Sequence, residues 1–183
     1  FDAFDEDADT GTDTRRWFHD VLHSSPTAIT YGKTAGDAFI DKLLVATNDG
    51  GLHFINGNTG IEEWVFMPNA VLSGQQSFYD NASSSHSYGI DASPVLGITD
   101  TDLDGIIDPS KGDFVGAIIP QRRGGDSMWG LDLTPTTKLT SQSSTVIPKF
   151  LWHISPGTTG FSRLGQTWSE PVLAEIATPA GPK

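Results

Sequence analysis

A chain of 183 residues, 37% hydrophobic and 19% charged, has the makeup of a globular protein with one sizeable core, which sets aside the disordered class. Its 11 basic residues face 23 acidic ones, and the net charge of −12 repels phosphate backbones, sets aside nucleic acid and favours cations. Cysteine is absent, so disulfides, thiol nucleophiles and Cys-based zinc sites are excluded, and no apolar run is long enough to span a bilayer.

Residues 1–16 form an acidic, threonine-rich lead-in. Short strands punctuated by Gly, Asn, Asp and Pro follow from Val21 onward. "HSSPTAITY", "KLLVATNDG", "GLHFINGNTG" and "IEEWVFMP" make a first group of four, the middle pair joined by the Asp49-Gly50 turn signal. "PNAVLSGQQSFYDN" spaces Ala70, Val71, Leu72 and Phe78 as a short helix, and "NASSSHS" reads as a polar loop. The pattern then recurs in "IDASPVLGI", "GDFVGAIIPQ", "DSMWGLDLTP" and "KFLWHISPG", and "SEPVLAEIA" opens a third copy. The anchors Pro26, Pro94 and Pro171 set a repeat of about 70 to 80 residues with inserted loops.

Four strands followed by four more predict an all-β fold, a fragment of a β-propeller with one short helix. The first blade covers 17–80 and the second 81–160, with the truncated start of a third at 161–183. A small antiparallel sandwich is the alternative. The start at Phe1 and the stop after "EIATPAGPK" read as a piece of a longer polypeptide.

The densest chemistry lies between the first two strands of the second group, in "GITDTDLDGIIDPSKGD". Counting Asp100 as position 1 puts Asp102, Asp104 and Asp108 at 3, 5 and 9, Gly105 at 6 and Ile106 at 7. An EF-hand loop supplies side-chain oxygens, a sharp glycine turn and a backbone carbonyl at those places. Four carboxylates this close repel one another unless a cation joins them. The expected ligands are therefore Asp100, Asp102, Asp104, the Ile106 carbonyl and Asp108, with calcium preferred over magnesium for its higher ligand count. Lys111 replaces the glutamate of a twelve-residue loop, and Asp113 is a weaker candidate for an extra ligand. The loop reads as a brace within the second blade; a merely solvated acidic loop is the alternative. Asp5, Asp7, Asp9 and Asp13 repeat the spacing without the glycine at position 6, so a second calcium loop and a frayed acidic terminus stand as equals.

Other polar groups read as structural. His19 and His23 lack a third metal ligand, and His53 and His153 sit in strands as hydrogen-bonded residues. Ser24, Ser25, His23 and Asp20 are neighbours in sequence, which does not make a triad. Arg122 and Arg123 sit at a hinge where they can neutralise nearby aspartates. Trp64, Trp129, Trp152 and Trp168 recur at strand positions as packing residues, each able to bury about 200 Å2. No GxSxG, Walker or HExxH motif is present, and no enzyme is predicted.

"DVLHSSP", "VATNDGGLHFINGNTGIEEWVFMP", "YGIDASPV" with its acidic loop, "RRGGDSMWGLDLT" and "GFSRLGQTWSEPVLAEI" occur in an order that resembles the C-terminal region of PilY/PilC-type proteins. These are type IV pilus biogenesis factors and pilus-tip adhesins of Gram-negative bacteria. The resemblance runs from Arg15 to Ile176. It implies a non-enzymatic, calcium-binding portion of a modified β-propeller in an exported protein at the cell surface or pilus tip, supporting pilus extension and attachment. Its implied partners are the rest of its own propeller, pilin or minor pilins, and a host or abiotic surface. "LLVATNDGGLHFINGNTGIEEW" also resembles a blade of pyrroloquinoline-quinone dehydrogenases, and a structural surface or filament component is a third reading.

Overall fold

The computed structural model describes residues 18–76, 86–173, 177–178 and 181–182. Alternating apolar positions become the strands β1 (Thr27–Lys33), β2 (Phe39–Ala46), β3 (Leu52–Asn56) and β4 (Glu62–Phe66). They pair in chain order as a four-stranded antiparallel sheet. A one-turn helix, α1 (Asn69–Leu72), leads towards the second half. There β5 (Val95–Thr99), β6 (Phe114–Pro120), β7 (Met128–Asp132) and β8 (Lys149–Ile154) repeat the same antiparallel order. A two-residue hairpin of β9 (Ala177–Thr178) and β10 (Gly181–Pro182) follows.

The eight strands fall where the two sequence groups place them, and the described residues form two open four-stranded sheets and one hairpin, with no closed ring. The short helix expected within 68–81 is found at Asn69–Leu72, and residues 75–76 are helical again; 77–81 lie outside the described residues. Of the strand expected over 169–177, residues 169–173 adopt no regular structure and 174–176 lie outside the described residues. So does the acidic spacing of Asp5, Asp7, Asp9 and Asp13.

Neither sheet buries its inner face alone. Ile29, Tyr31, Ile40, Leu44, Leu52 and Phe54 of the first sheet form one buried cluster with Val115, Ala117, Ile119, Trp129 and Leu131 of the second. Each set alternates along its strands, so a single apolar layer holds the sheets together. Trp64 stacks on Phe54 with ring centroids 4.6 Å apart and donates its indole N–H to the Val146 carbonyl at 2.6 Å. Val146 lies in the long connection from β7 to β8, so one tryptophan of the first sheet clasps the second.

A second contact is made by bare backbone. A Cβ on Gly124 would lie 1.9 Å from the Gly89 carbonyl oxygen, and one on Gly89 would lie 2.4 Å from the Gly50 nitrogen. Gly124 belongs to the turn between β6 and β7, and Gly50 to the β2–β3 hairpin. Three backbone segments are thus stacked where no side chain fits. Gly124→Ala is expected to destabilise the fold by roughly 1–3 kcal/mol or more. Gly165→Ala, at a position with open space around it, should stay within about 0.5 kcal/mol. Equal denaturation midpoints for the two variants would contradict the stacking argument.

Candidate metal centre

The acidic loop occupies residues 100–113 between β5 and β6. Its course is set by its own side chains. Asp100 Oδ2 accepts the Gly105 N–H at 2.8 Å, and Asp104 Oδ1 accepts the Ile106 N–H at 2.8 Å. These bonds curl the chain through Leu103 (φ 57°) and Gly105 (φ 75°), both left-handed. For the glycine that conformation is free; for the leucine it costs about 1–2 kcal/mol. Asp113 closes the loop by accepting the N–H groups of Thr101 (2.8 Å) and Asp108 (2.9 Å).

Asp100, Asp102 and Asp113 each offer a carboxylate oxygen, and these atoms all lie within 4.8 Å of one another. Such a trio can hold a metal ion. A separate observation favours a ligand there: Asp100 Oδ1 is buried and has no hydrogen-bond partner. A buried carboxylate oxygen left unpaired is costly, and a cation satisfies it. The donor set is all carboxylate oxygen, which suits a hard cation.

The remaining aspartates of the loop are engaged differently. Asp104 Oδ2 and Asp102 Oδ2 accept from the Lys111 ammonium at 2.6 and 2.5 Å. Lys111 therefore spans two of the expected ligands, and their carboxylates raise its pKa above the ordinary lysine value. The same hydrogen bond, followed by the Ile106 N–H, lowers the pKa of Asp104. Asp108 Oδ1 accepts the hydroxyl (2.6 Å) and the N–H (2.9 Å) of Ser110, which lower its pKa. The N–H groups of Thr101 and Asp108 do the same for Asp113. All three carboxyls are thereby favoured in their charged form at neutral pH.

The loop also reaches beyond its own sheet. The register of β1 on β2 shifts between Thr30 and Lys33, a bulge that takes Tyr31 and Gly32 out of the ladder. The freed Tyr31 carbonyl accepts the Ile107 N–H at 3.1 Å. Ile106 covers Gly32, where an added Cβ would lie 3.1 Å from the isoleucine, and Ile107 enters the core. The loop expected to brace one blade therefore bonds to the other sheet.

Asp113 belongs to the trio although the loop count ends before it. Its position immediately ahead of β6, where a carboxylate can fold back on the loop, is the signal that finds it. In a second charged cluster Arg122 neutralises an aspartate, as its hinge position suggests, but one distant in sequence. The fully buried Asp91 carboxylate lies 2.8 Å from His23 Nδ1 and accepts from Arg122 Nη1 at 3.0 Å. Arg122 also lies over Trp168, and Arg123 over Tyr88. Asp20 accepts from Asn48 and pairs with His86, while the Ser25 N–H donates to Ser93 Oγ, so these groups serve the fold. His53 bonds Glu62 and Thr47, and His153 bonds Ser127 while stacking on Trp129. Trp152 lies against Gly130, and Trp168 is half exposed.

No family model matches the chain. A curated relative, the type IV pilus biogenesis factor PilY1 of Pseudomonas aeruginosa strain UCBPP-PA14, is 29% identical over 178 residues. The match covers 86% of this chain and 14% of the relative. Among solved structures, the C-terminal domain of Pseudomonas aeruginosa PilY1 aligns over 81% of this chain and 29% of that one, with 22% identity and a TM-score of 0.48. The family resemblance carried by the sequence motifs is thus met by a curated relative: over most of its length, the chain is similar to part of a PilY1-type pilus biogenesis factor.

Proposed function

We propose that this chain is a calcium-binding β-propeller portion of a surface-exposed type IV pilus biogenesis and tip adhesin protein, with a non-enzymatic role. Similarity to PilY1 supports the pilus part of this reading, and the chain spans only a small share of that protein. In the proposal, residues 17–80 and 81–160 are two blades and 161–183 begins a third, after the lead-in 1–16. The unpaired, buried Asp100 Oδ1 carries the metal part of the reading. Calcium would be held by Asp100, Asp102, Asp104, the Ile106 carbonyl and Asp108, and Asp113 joins them as the third member of the trio. The copy at Asp5, Asp7, Asp9 and Asp13 would hold a second ion.

A cation here has a mechanical consequence. The segment that would wrap the ion continues directly into Ile106 and Ile107, which dock on β1 of the other sheet. Calcium would thus fix how the two sheets meet and the surface they present to pilin, minor pilins or a host or abiotic surface. Among the described residues no helix is long and apolar enough to cross a membrane.

A ligand bound only by the folded state stabilises it by mass action, about 2.7 kcal/mol at a hundredfold excess over Kd. Chelating calcium should therefore lower the melting temperature of the protein by about 5–10 °C. Asp104→Ala should abolish that difference. A melting curve indifferent to chelator contradicts the metal reading.

Lys111 makes a sharper prediction, because its ammonium bonds two carboxylates that the ion needs. Lys111→Ala should tighten calcium binding by up to roughly tenfold while lowering the melting temperature of the chelated protein. Weaker calcium binding by this variant in a titration would show that the ammonium and the ion do not compete. For the pilus role, cells expressing the full-length protein with Asp104→Ala should show several-fold fewer surface pili than the wild type. Wild-type piliation would separate the loop from pilus biogenesis.

A further inference from the structure

The alternation of β2 places Lys42 on the core face between Ile40 and Leu44, and it is completely buried. Its Nζ donates to Glu63 Oε1 and to the carbonyls of Ser144 (2.7 Å) and Gln142 (3.3 Å). Directly across the ladder, Asn56 is its register partner on β3 and is 4% exposed. Asn56 Nδ2 donates to the same Glu63 Oε1 at 3.0 Å and to the same Gln142 carbonyl at 2.6 Å. An amine and a carboxamide thus share two acceptors inside the protein, one of them a carboxylate. The other oxygen of that carboxylate, Glu63 Oε2, is buried without a hydrogen-bond partner. The Asn56 carbonyl is polarised from its far side, where Oδ1 accepts the backbone N–H groups of Asn58 and Thr59, both at 3.1 Å.

We propose that Lys42 and Asn56 are joined by an isopeptide bond formed within the folded chain, with Glu63 as the catalytic residue. Nucleophile, proton carrier, electrophile and oxyanion donors are all in place, and Lys42 and Asn56 are shielded from water. The Lys42 ammonium first gives a proton to Glu63 Oε1, the oxygen it already bonds, leaving a free amine. Its lone pair attacks Asn56 Cγ, so the Nζ–Cγ bond forms as the C=O electron pair moves onto Oδ1. The N–H groups of Asn58 and Thr59 stabilise that oxyanion. Glu63 Oε1 passes that proton to Asn56 Nδ2, which it also bonds, then takes the second proton from Nζ and passes it on in turn. The carbonyl re-forms, the Cγ–Nδ2 bond breaks, and ammonium departs with Glu63 again a carboxylate. No oxidant, metal or nucleotide is consumed, since the step exchanges one amide for another. The product staples β2 to β3 in the first sheet, and it is independent of the calcium and pilus readings.

Intact-mass measurement of the denatured protein reads the bond directly. The expected mass is that of the sequence less one ammonia. Trypsin should fail to cut after Lys42, so that residues 34–111 are recovered as one peptide carrying the loss. Glu63→Gln should restore the full mass and the cut after residue 42. If that variant does not fold, Lys42→Arg, which keeps the positive charge, should give the full mass with an unchanged circular dichroism spectrum. A wild-type mass equal to the sequence, with a free Lys42, overturns the proposal. So does an ammonia loss that hydroxylamine cleaves between Asn56 and Gly57 while Lys42 remains free, because that product is a succinimide.

Discussion

Tyr31 is the residue through which the two sheets are tied. It is fully buried in β1, its hydroxyl donates to the Leu133 carbonyl at 2.8 Å, and its own carbonyl accepts the Ile107 N–H. Both partners belong to the second half of the chain, one just after β7 and the other in the acidic loop. Burial, and then the negative charges of Asp132 and Glu63, push its phenol pKa far above the ordinary value, so the hydroxyl keeps its proton and remains a donor. An apolar layer alone would allow the sheets to slide, because the hydrophobic effect has little direction. Two hydrogen bonds from one side chain and its backbone fix the register.

From that constraint the acidic loop acquires its meaning. A β-bulge normally weakens a ladder, yet here it exposes the one carbonyl to which the loop is anchored. The loop is anchored at its tip by Ile106 and Ile107, and at its base by Asp113 and the two backbone N–H groups it accepts. Between these ends lie carboxylates whose mutual repulsion is partly relieved by Lys111. The ammonium reaches Asp102 and Asp104 and leaves Asp100 Oδ1 without a partner. That unpaired oxygen is the physical reason for proposing a cation there.

Much of the fold was legible because antiparallel hairpins are local. Apolar alternation and turn residues place all eight long strands, and their order follows once each strand pairs with the next. The loop spacing is legible for the same reason, being confined to consecutive residues. What sequence does not display is convergence over distance. Asp113 joins the trio only when β6 turns back beside β5. Asp91 meets His23 and Arg122 across 68 and 31 residues. Nothing in the sequence singles out Lys42, because its partner Glu63 sits at the register shift in β4, where simple alternation fails.

The central claim is that an ion in the loop between β5 and β6 controls the junction with β1. Hydrogen exchange at the Ile107 amide, measured on the protein with calcium and with chelator, tests it most directly. Calcium should slow exchange at Ile107 together with its β1 neighbours around Tyr31. Slower exchange confined to residues 100–105, with Ile107 unchanged, would contradict it.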